Sequence, residues 1–195
     1  MPKLKIHPSF VLIFLCLLAG DNKKLTLSVL ICMAIHEIGH IMLFYAFKIK
    51  IKEISLGATG ATITPALSLT SYKKEIAVAI GGPFLNLVTL ALVYPSINIY
   101  EPALFGMREY VAIFSLMFAI INLMPVYDLD GGRILKCALS MLFTDSAGER
   151  VVNVCTTVFL IGIWMLSVYM LLKSRGGFAF FAFSICMMLR KGKRG

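Results

Sequence analysis

The sequence predicts an all-α polytopic membrane protein, with about six transmembrane helices and a short β-hairpin-like connector between the second and third. Three observations predict it. The 195 residues are 59% hydrophobic, with a mean hydropathy of +0.87, against roughly 45–50% apolar usage in soluble domains. The apolar residues fall in long uninterrupted runs. The basic residues, which set a net charge of +9, gather in short segments between those runs. A soluble chain of this size has no interior large enough for so much apolar surface. A bilayer supplies the missing solvent.

The runs are, in order, Pro8–Gly20, Leu25–Phe47, Ile76–Pro95, Tyr110–Pro125, Val151–Leu172 and Phe178–Leu189. The first follows Lys3 and Lys5, as the apolar core of a signal peptide would. Asp21-Asn22-Lys23-Lys24 comes next instead of a small-residue cleavage site, so the run reads as a retained span. The second, third and fifth approach the ~20 residues that a spanning helix needs. The first and last are short, and read as shallow, tilted or extended by their flanks. Between the second and third lies Ile51–Tyr72, where Ile and Thr mix with Gly57, Gly60 and Pro65. That composition suits a hairpin or a sheet edge better than a helix. No repeat, low-complexity tract or long soluble segment interrupts the series, so residues 1–195 read as one membrane-embedded domain.

Charge orients it. With six spans and the N-terminus inside, the inner segments hold fourteen Lys and Arg and the outer ones five. This excess is the positive-inside pattern and puts both termini in the cytoplasm. No basic face interleaved with aromatics exists, so nucleic acid is not an expected partner. The five cysteines stand singly within or beside apolar runs, without CxxC spacing, so neither a disulfide framework nor a cysteine-ligated metal is supported.

Inside the second run stands His36-Glu37-Ile38-Gly39-His40. A charged residue at the centre of a spanning helix costs roughly 2.5–3.5 kcal/mol on insertion scales, so three ionisable groups there need a reason. Their spacing supplies one. Residues i and i+4 lie one turn apart on the same helix face, so both imidazoles can hold one metal ion. Glu at i+1 then sits where a general base for water is needed. His36 and His40 are therefore candidate Zn²⁺ ligands and Glu37 the candidate catalytic base. A metal transporter would also bury His and Asp, but has no need of Glu at i+1.

An open catalytic zinc site takes three protein ligands. The candidate stretch for the third is Asn122-Leu123-Met124-Pro125-Val126-Tyr127-Asp128-Leu129-Asp130-Gly131-Gly132, where an apolar run breaks at Pro125 and ends in two acids and two glycines. Pro125 lacks an N–H and disfavours helix in the preceding residue. Broken backbone at membrane depth is tolerated only where it is buried in protein or lines a cavity. From Leu25 the HExxH centre lies about 20 Å along its helix, and from Tyr110 Asp130 lies about 30 Å along, so the two can meet in the cytoplasmic half.

HEIGH followed by NLMPVYDLDGG resembles the site-2 protease family of intramembrane metalloproteases, peptidase family M50, and in particular the branch containing stage IV sporulation protein FB. KIHPSF, GGPFLN and the Gly- and Thr-rich connector extend the likeness over most of the chain. The resemblance implies one zinc ion held by His36, His40 and Asp130, with Glu37 as the catalytic residue. Many members carry proline where this chain has Asp128, which makes Asp128 a rival ligand, a neighbour of the ligands or a rim residue. The resemblance further implies a membrane-associated protein substrate, a pro-sigma factor of sporulation, with inhibitory membrane partners, in a bacterial cell or forespore membrane. An anti-sigma factor or a signal-peptide remnant is the alternative. Control through a PDZ or CBS domain is not expected, because neither accompanies the spans.

Four further residues carry open readings. Asn86, with Gly81-Gly82-Pro83, serves helix packing or substrate positioning. Asn122 bonds a substrate strand or satisfies the backbone opened by Pro125, itself a candidate substrate-positioning element. His7 is an interfacial residue before Pro8, or a gate or transient metal ligand.

Overall fold

The computed structural model describes residues 3–6, 22–57, 60–65, 71–96 and 106–173. In chain order these form β1 (Lys3–Ile6), α1 (Lys23–Ala46), β2 (Ile51–Gly57), β3 (Gly60–Pro65), α2 (Tyr72–Val93), α3 (Met107–Asn122), α4 (Asp130–Leu142) and α5 (Asp145–Lys173). His7 and the expected first and sixth spans lie outside the described residues.

α1, α2 and α5 are each long and apolar enough to cross a bilayer, and they match the second, third and fifth predicted spans. The chain is an integral membrane protein. The fourth predicted span, Tyr110–Pro125, is a helix of 16 residues, about 24 Å long at 1.5 Å per residue. That is shorter than a hydrocarbon core of about 30 Å. It ends at Asn122, before Pro125, as the proline rule requires.

α1 starts where Asn22 Oδ1 accepts a hydrogen bond from the Leu25 N–H at 3.1 Å, satisfying one of the first-turn donors. It stops at Lys48, whose φ of 54° is left-handed, a conformation that turns the chain out of a helix. β2 and β3 then pair antiparallel, with Ile54 opposite Ile63. The hairpin expected in the connector is present. It belongs to a three-stranded sheet, because β1 adds in parallel beside β2. Lys5 reaches Glu53 across that pair at 2.9 Å. Four residues near the N-terminus carry too short a pattern to announce such a strand.

α2 is central and packs on α1, α3 and α4, while α5 packs on α4. The closest approach is between α1 and α2. A Cβ on Gly39 would lie 2.2 Å from the Gly81 carbonyl oxygen, so only glycine admits this separation, the small-residue packing of membrane helices. Much of the interior is small or polar: Cys32, Ser28, Ser115, Ala79 and Asn86 are fully enclosed. Large apolar side chains such as Leu92, Val158 and Leu172 point outward instead. Lipid takes up that surface, so helix association rests on close packing and hydrogen bonds.

The turn from Leu123 to Leu129 is held by backbone bonds from Val126 N to Met124 O at 2.8 Å and from Leu129 N to Val126 O at 2.9 Å. Thr156 on α5 accepts the Tyr127 N–H at 2.9 Å. A Cβ on Gly131 or Gly132 would strike the carbonyls of Leu123 and Val126 at 2.1 and 2.0 Å. The glycine pair thus lets the first turn of α4 lie flat against the turn preceding it. That aims Asp130, its first residue, at α1.

Candidate metal centre

His36 and His40 lie one turn apart on α1, both buried, with ring centroids 4.8 Å apart and planes at 83°. Their Nε2 atoms are 3.2 Å apart. Asp130 Oδ2 lies 3.1 Å from the first and 3.3 Å from the second. Three ligand atoms from two helices thus meet in a near-equilateral triangle.

Hydrogen bonds outside the triangle orient it. His40 Nδ1 lies 2.8 Å from the Val78 carbonyl oxygen on α2. A carbonyl only accepts, so Nδ1 carries the proton and Nε2 presents a lone pair. Pro83, inside α2, supplies no N–H to the Ala79 carbonyl, one residue beyond Val78. Gly82 lies beneath the rings; a Cβ there would be 2.5 Å from His40 Nε2 and 2.7 Å from His36 Nε2.

The cluster fits zinc. A tetrahedral ion with bonds of about 2.0–2.1 Å separates its ligand atoms by about 3.3–3.4 Å, close to the three distances here. Asp130 Oδ2 is buried, with the two imidazole Nε2 atoms as its neighbours. Lone pairs crowded this closely repel unless a cation lies between them. His36, His40 and Asp130 can therefore hold one Zn²⁺.

His40 and Asp130 of the triangle line a cleft of about 680 Å³. Glu37 and His40 line its base, and Phe44, Val78 and Ile63 of β3 form an apolar side. Glu75, Arg133 and Lys136 lie toward the mouth. The two cations there are paired, Arg133 Nε with Glu75 at 2.9 Å and Lys136 Nζ with Glu149 at 2.6 Å. The Glu149 carboxylate holds the Lys136 ammonium above its ordinary value. The cleft lining thus holds four acids, Glu37, Glu75, Asp128 and Asp130, and two bases, Arg133 and Lys136.

Of the two acids flanking Leu129, Asp130 reaches the histidines, and Asp128 is exposed on the cleft wall. Asn122 donates from Nδ2 to the Phe118 carbonyl in its own helix at 3.0 Å. Neither it nor Pro125 nor Asn86 lines the cleft. Asn86 is instead fully buried behind His36. Sequence reasoning missed the cleft residues Ile63, Glu75, Tyr127 and Arg133, because no local pattern relates a strand, two helices and a turn.

The sequence model of peptidase family M50 matches residues 24–105 and 97–166. The chain is 30% identical to stage IV sporulation protein FB of Bacillus subtilis over 173 residues, 85% of this chain and 58% of that protein. It is 25% identical to a zinc metalloprotease of Methanocaldococcus jannaschii over 186 residues, 88% of this chain and 54% of the relative. In fold it is similar to the site-2 protease from Methanocaldococcus jannaschii, with a TM-score of 0.70 at 18% identity, covering 94% of this chain and 86% of that one. A helical membrane fold with a His, His, Asp cluster at the base of a cleft defines a class of membrane metalloprotein. Within that class, the chain belongs to peptidase family M50. It spans a little over half the length of these two curated relatives.

Proposed function

We propose that this chain is an intramembrane zinc metalloendopeptidase that hydrolyses membrane-associated protein substrates. The observation that carries the reading is the convergence of His36, His40 and Asp130 with Glu37 lining the same cleft base. When bound, zinc supplies a Lewis acid that polarises a carbonyl and lowers the pKa of water to about 7. His36, His40 and Asp130 hold the ion. Glu37 takes the proton from the attacking water and returns it to the departing nitrogen, the standard duty of a placed carboxylate.

A helical substrate must first open, because its peptide bonds are covered by their own hydrogen bonds. β3 is an edge strand of the sheet, and its Ile63 lines the cleft. An unwound segment can add to that edge, with backbone bonds supplying affinity whatever the side chains. We read residues 1–195 as one domain of six spans with cytoplasmic termini, consistent with the fourteen-to-five bias of basic residues. Likeness to a sporulation protein supports a pro-sigma factor as substrate and membrane-bound inhibitors as partners.

Co-expression with a candidate pro-sigma factor, followed by immunoblotting and N-terminal sequencing of products, tests the reading. Glu37→Gln is expected to keep zinc and lose cleavage by at least about 10²-fold, the lower range for general-base removal. An active Glu37→Gln protein removes Glu37 from the mechanism.

A further inference from the structure

The amide of Asn86 has no part in the cleft, yet it occupies one of the most enclosed positions in the molecule. It is 0% exposed on α2, and its Nδ2 stands 3.2 Å from His36 Nδ1. Its Oδ1 is buried and has no hydrogen-bond partner among the described residues. A buried amide in an apolar span is costly unless it is bonded, so an orphaned carbonyl oxygen is informative.

With Nδ2 facing the ring, His36 Nδ1 has to accept, which places the ring proton on Nε2. That atom is 3.1 Å from Asp130 Oδ2 and 3.2 Å from His40 Nε2, within the triangle of ligand atoms. A proton there blocks coordination. Rotating the amide by 180° exchanges two groups of nearly equal size. Oδ1 then accepts from Nδ1–H, the orphaned oxygen gains a partner, and the Nε2 lone pair faces the ion.

We propose that Asn86 is a positioning residue which, through Oδ1, holds His36 in the tautomer and ring orientation required for zinc. The inference rests on the metal-site reading above. It makes the two histidines equivalent in chemistry and different in origin. The Val78 backbone carbonyl orients His40, and a side chain orients His36. Both come from α2 and lie one on either side of Pro83. Metal-bound imidazoles generally donate their second N–H to such an acceptor, and losing it costs about 10–100-fold in affinity.

The test uses the full chain in detergent micelles, with zinc affinity measured by competition against a chelator. ¹⁵N NMR of labelled histidine reports the His36 tautomer. Asn86→Leu, which fills the volume without an acceptor, is expected to weaken zinc about 10–100-fold and to lose the protonated Nδ1 signal of His36. Asn86→Asp, whose carboxylate accepts, is expected to stay within a few-fold of wild type with that signal kept. Zinc binding by Asn86→Leu equal to wild type overturns the proposal, and so does Asn86→Asp failing as badly as Asn86→Leu. Should Asn86→Leu not fold, the affinity and tautomer of Asn86→Asp decide alone. His36→Ala separates the levels. If it loses zinc while Asn86→Leu does not, only the orienting role falls. If it binds zinc like wild type, the metal-site reading falls with it.

Discussion

Replacing Gly82 with alanine asks the metal centre to accept one methyl group. The new Cβ would stand 2.5 Å from His40 Nε2 and 2.7 Å from both Nε2 and Cε1 of His36, where ordinary contact begins at 3.4 Å. The shortfall is therefore 0.9 Å for one ring and 0.7 Å for the other. Neither ring can retreat freely, because His40 is bonded to the Val78 carbonyl at 2.8 Å and His36 faces Asn86 at 3.2 Å. Metal sites tolerate ligand displacements of only about 0.2 Å. The required movement exceeds that severalfold, so zinc affinity is expected to fall at least about 10–100-fold, as for loss of an orienting contact. Equilibration of the purified protein with chelator-buffered zinc, followed by elemental analysis, reads this directly. The contrast is Gly39→Ala, whose Cβ meets the Gly81 carbonyl carbon and oxygen at 2.7 and 2.2 Å. There backbone opposes backbone and α1 must move from α2, so the loss appears in thermal stability, about 1–3 kcal/mol as for overpacking. Gly82→Ala protein binding zinc within twofold of wild type would refute the reasoning, since the rings would then not be held as described.

Other outcomes follow from the same geometry. Asp130→Ala should abolish stoichiometric zinc, whereas Asp128→Ala, altering an exposed cleft residue, should retain it; equal loss in both, measured by elemental analysis, contradicts the assignment of the third ligand. Cys137 on α4 is buried, and burial with the nearby Glu75 carboxylate pushes its thiol from 9.0 up to about 11. It should resist maleimide at pH 8 until detergent denaturation exposes it. Above pH 9 the unfolded chain releases a proton that the folded chain keeps, so stability falls as pH rises from about 9 to 11. Melting curves of Cys137→Ala should fall less steeply over that window, and identical pH slopes would exclude the effect.

Sequence alone exposed whatever repeats locally. Apolar runs of spanning length marked α1, α2 and α5, and glycines among Ile and Thr marked the hairpin. Pro125 stopped α3 where a missing N–H and a restricted predecessor demand it. The 16-residue length of α3 was less legible, because apolar composition continues past Asn122 while backbone geometry does not. Helix α4 passed unread within a charged inner segment, since its start depends on glycines fitting against two carbonyls of the preceding turn. β1 was hidden for a related reason: a parallel partner is recognised by pairing, and Lys3–Ile6 holds little pattern of its own.

The i, i+4 spacing in HEIGH determined by itself that two imidazoles share one helix face with a carboxylate beside them, because 3.6 residues per turn is a property of any helix. The cost of ionisable groups in an apolar span made that pairing purposeful before any fold was known. Which acid meets the histidines, how closely α1 and α2 approach, and what stands behind each ring were decided only by tertiary structure. Asp128 and Asp130 are near-equals in sequence, and the start of α4 at Asp130 separates their fates. Asn86 reads as a small polar residue in a packing motif until the chain brings it to His36. Such contacts join residues far apart along the chain, and local periodicity carries no information about them.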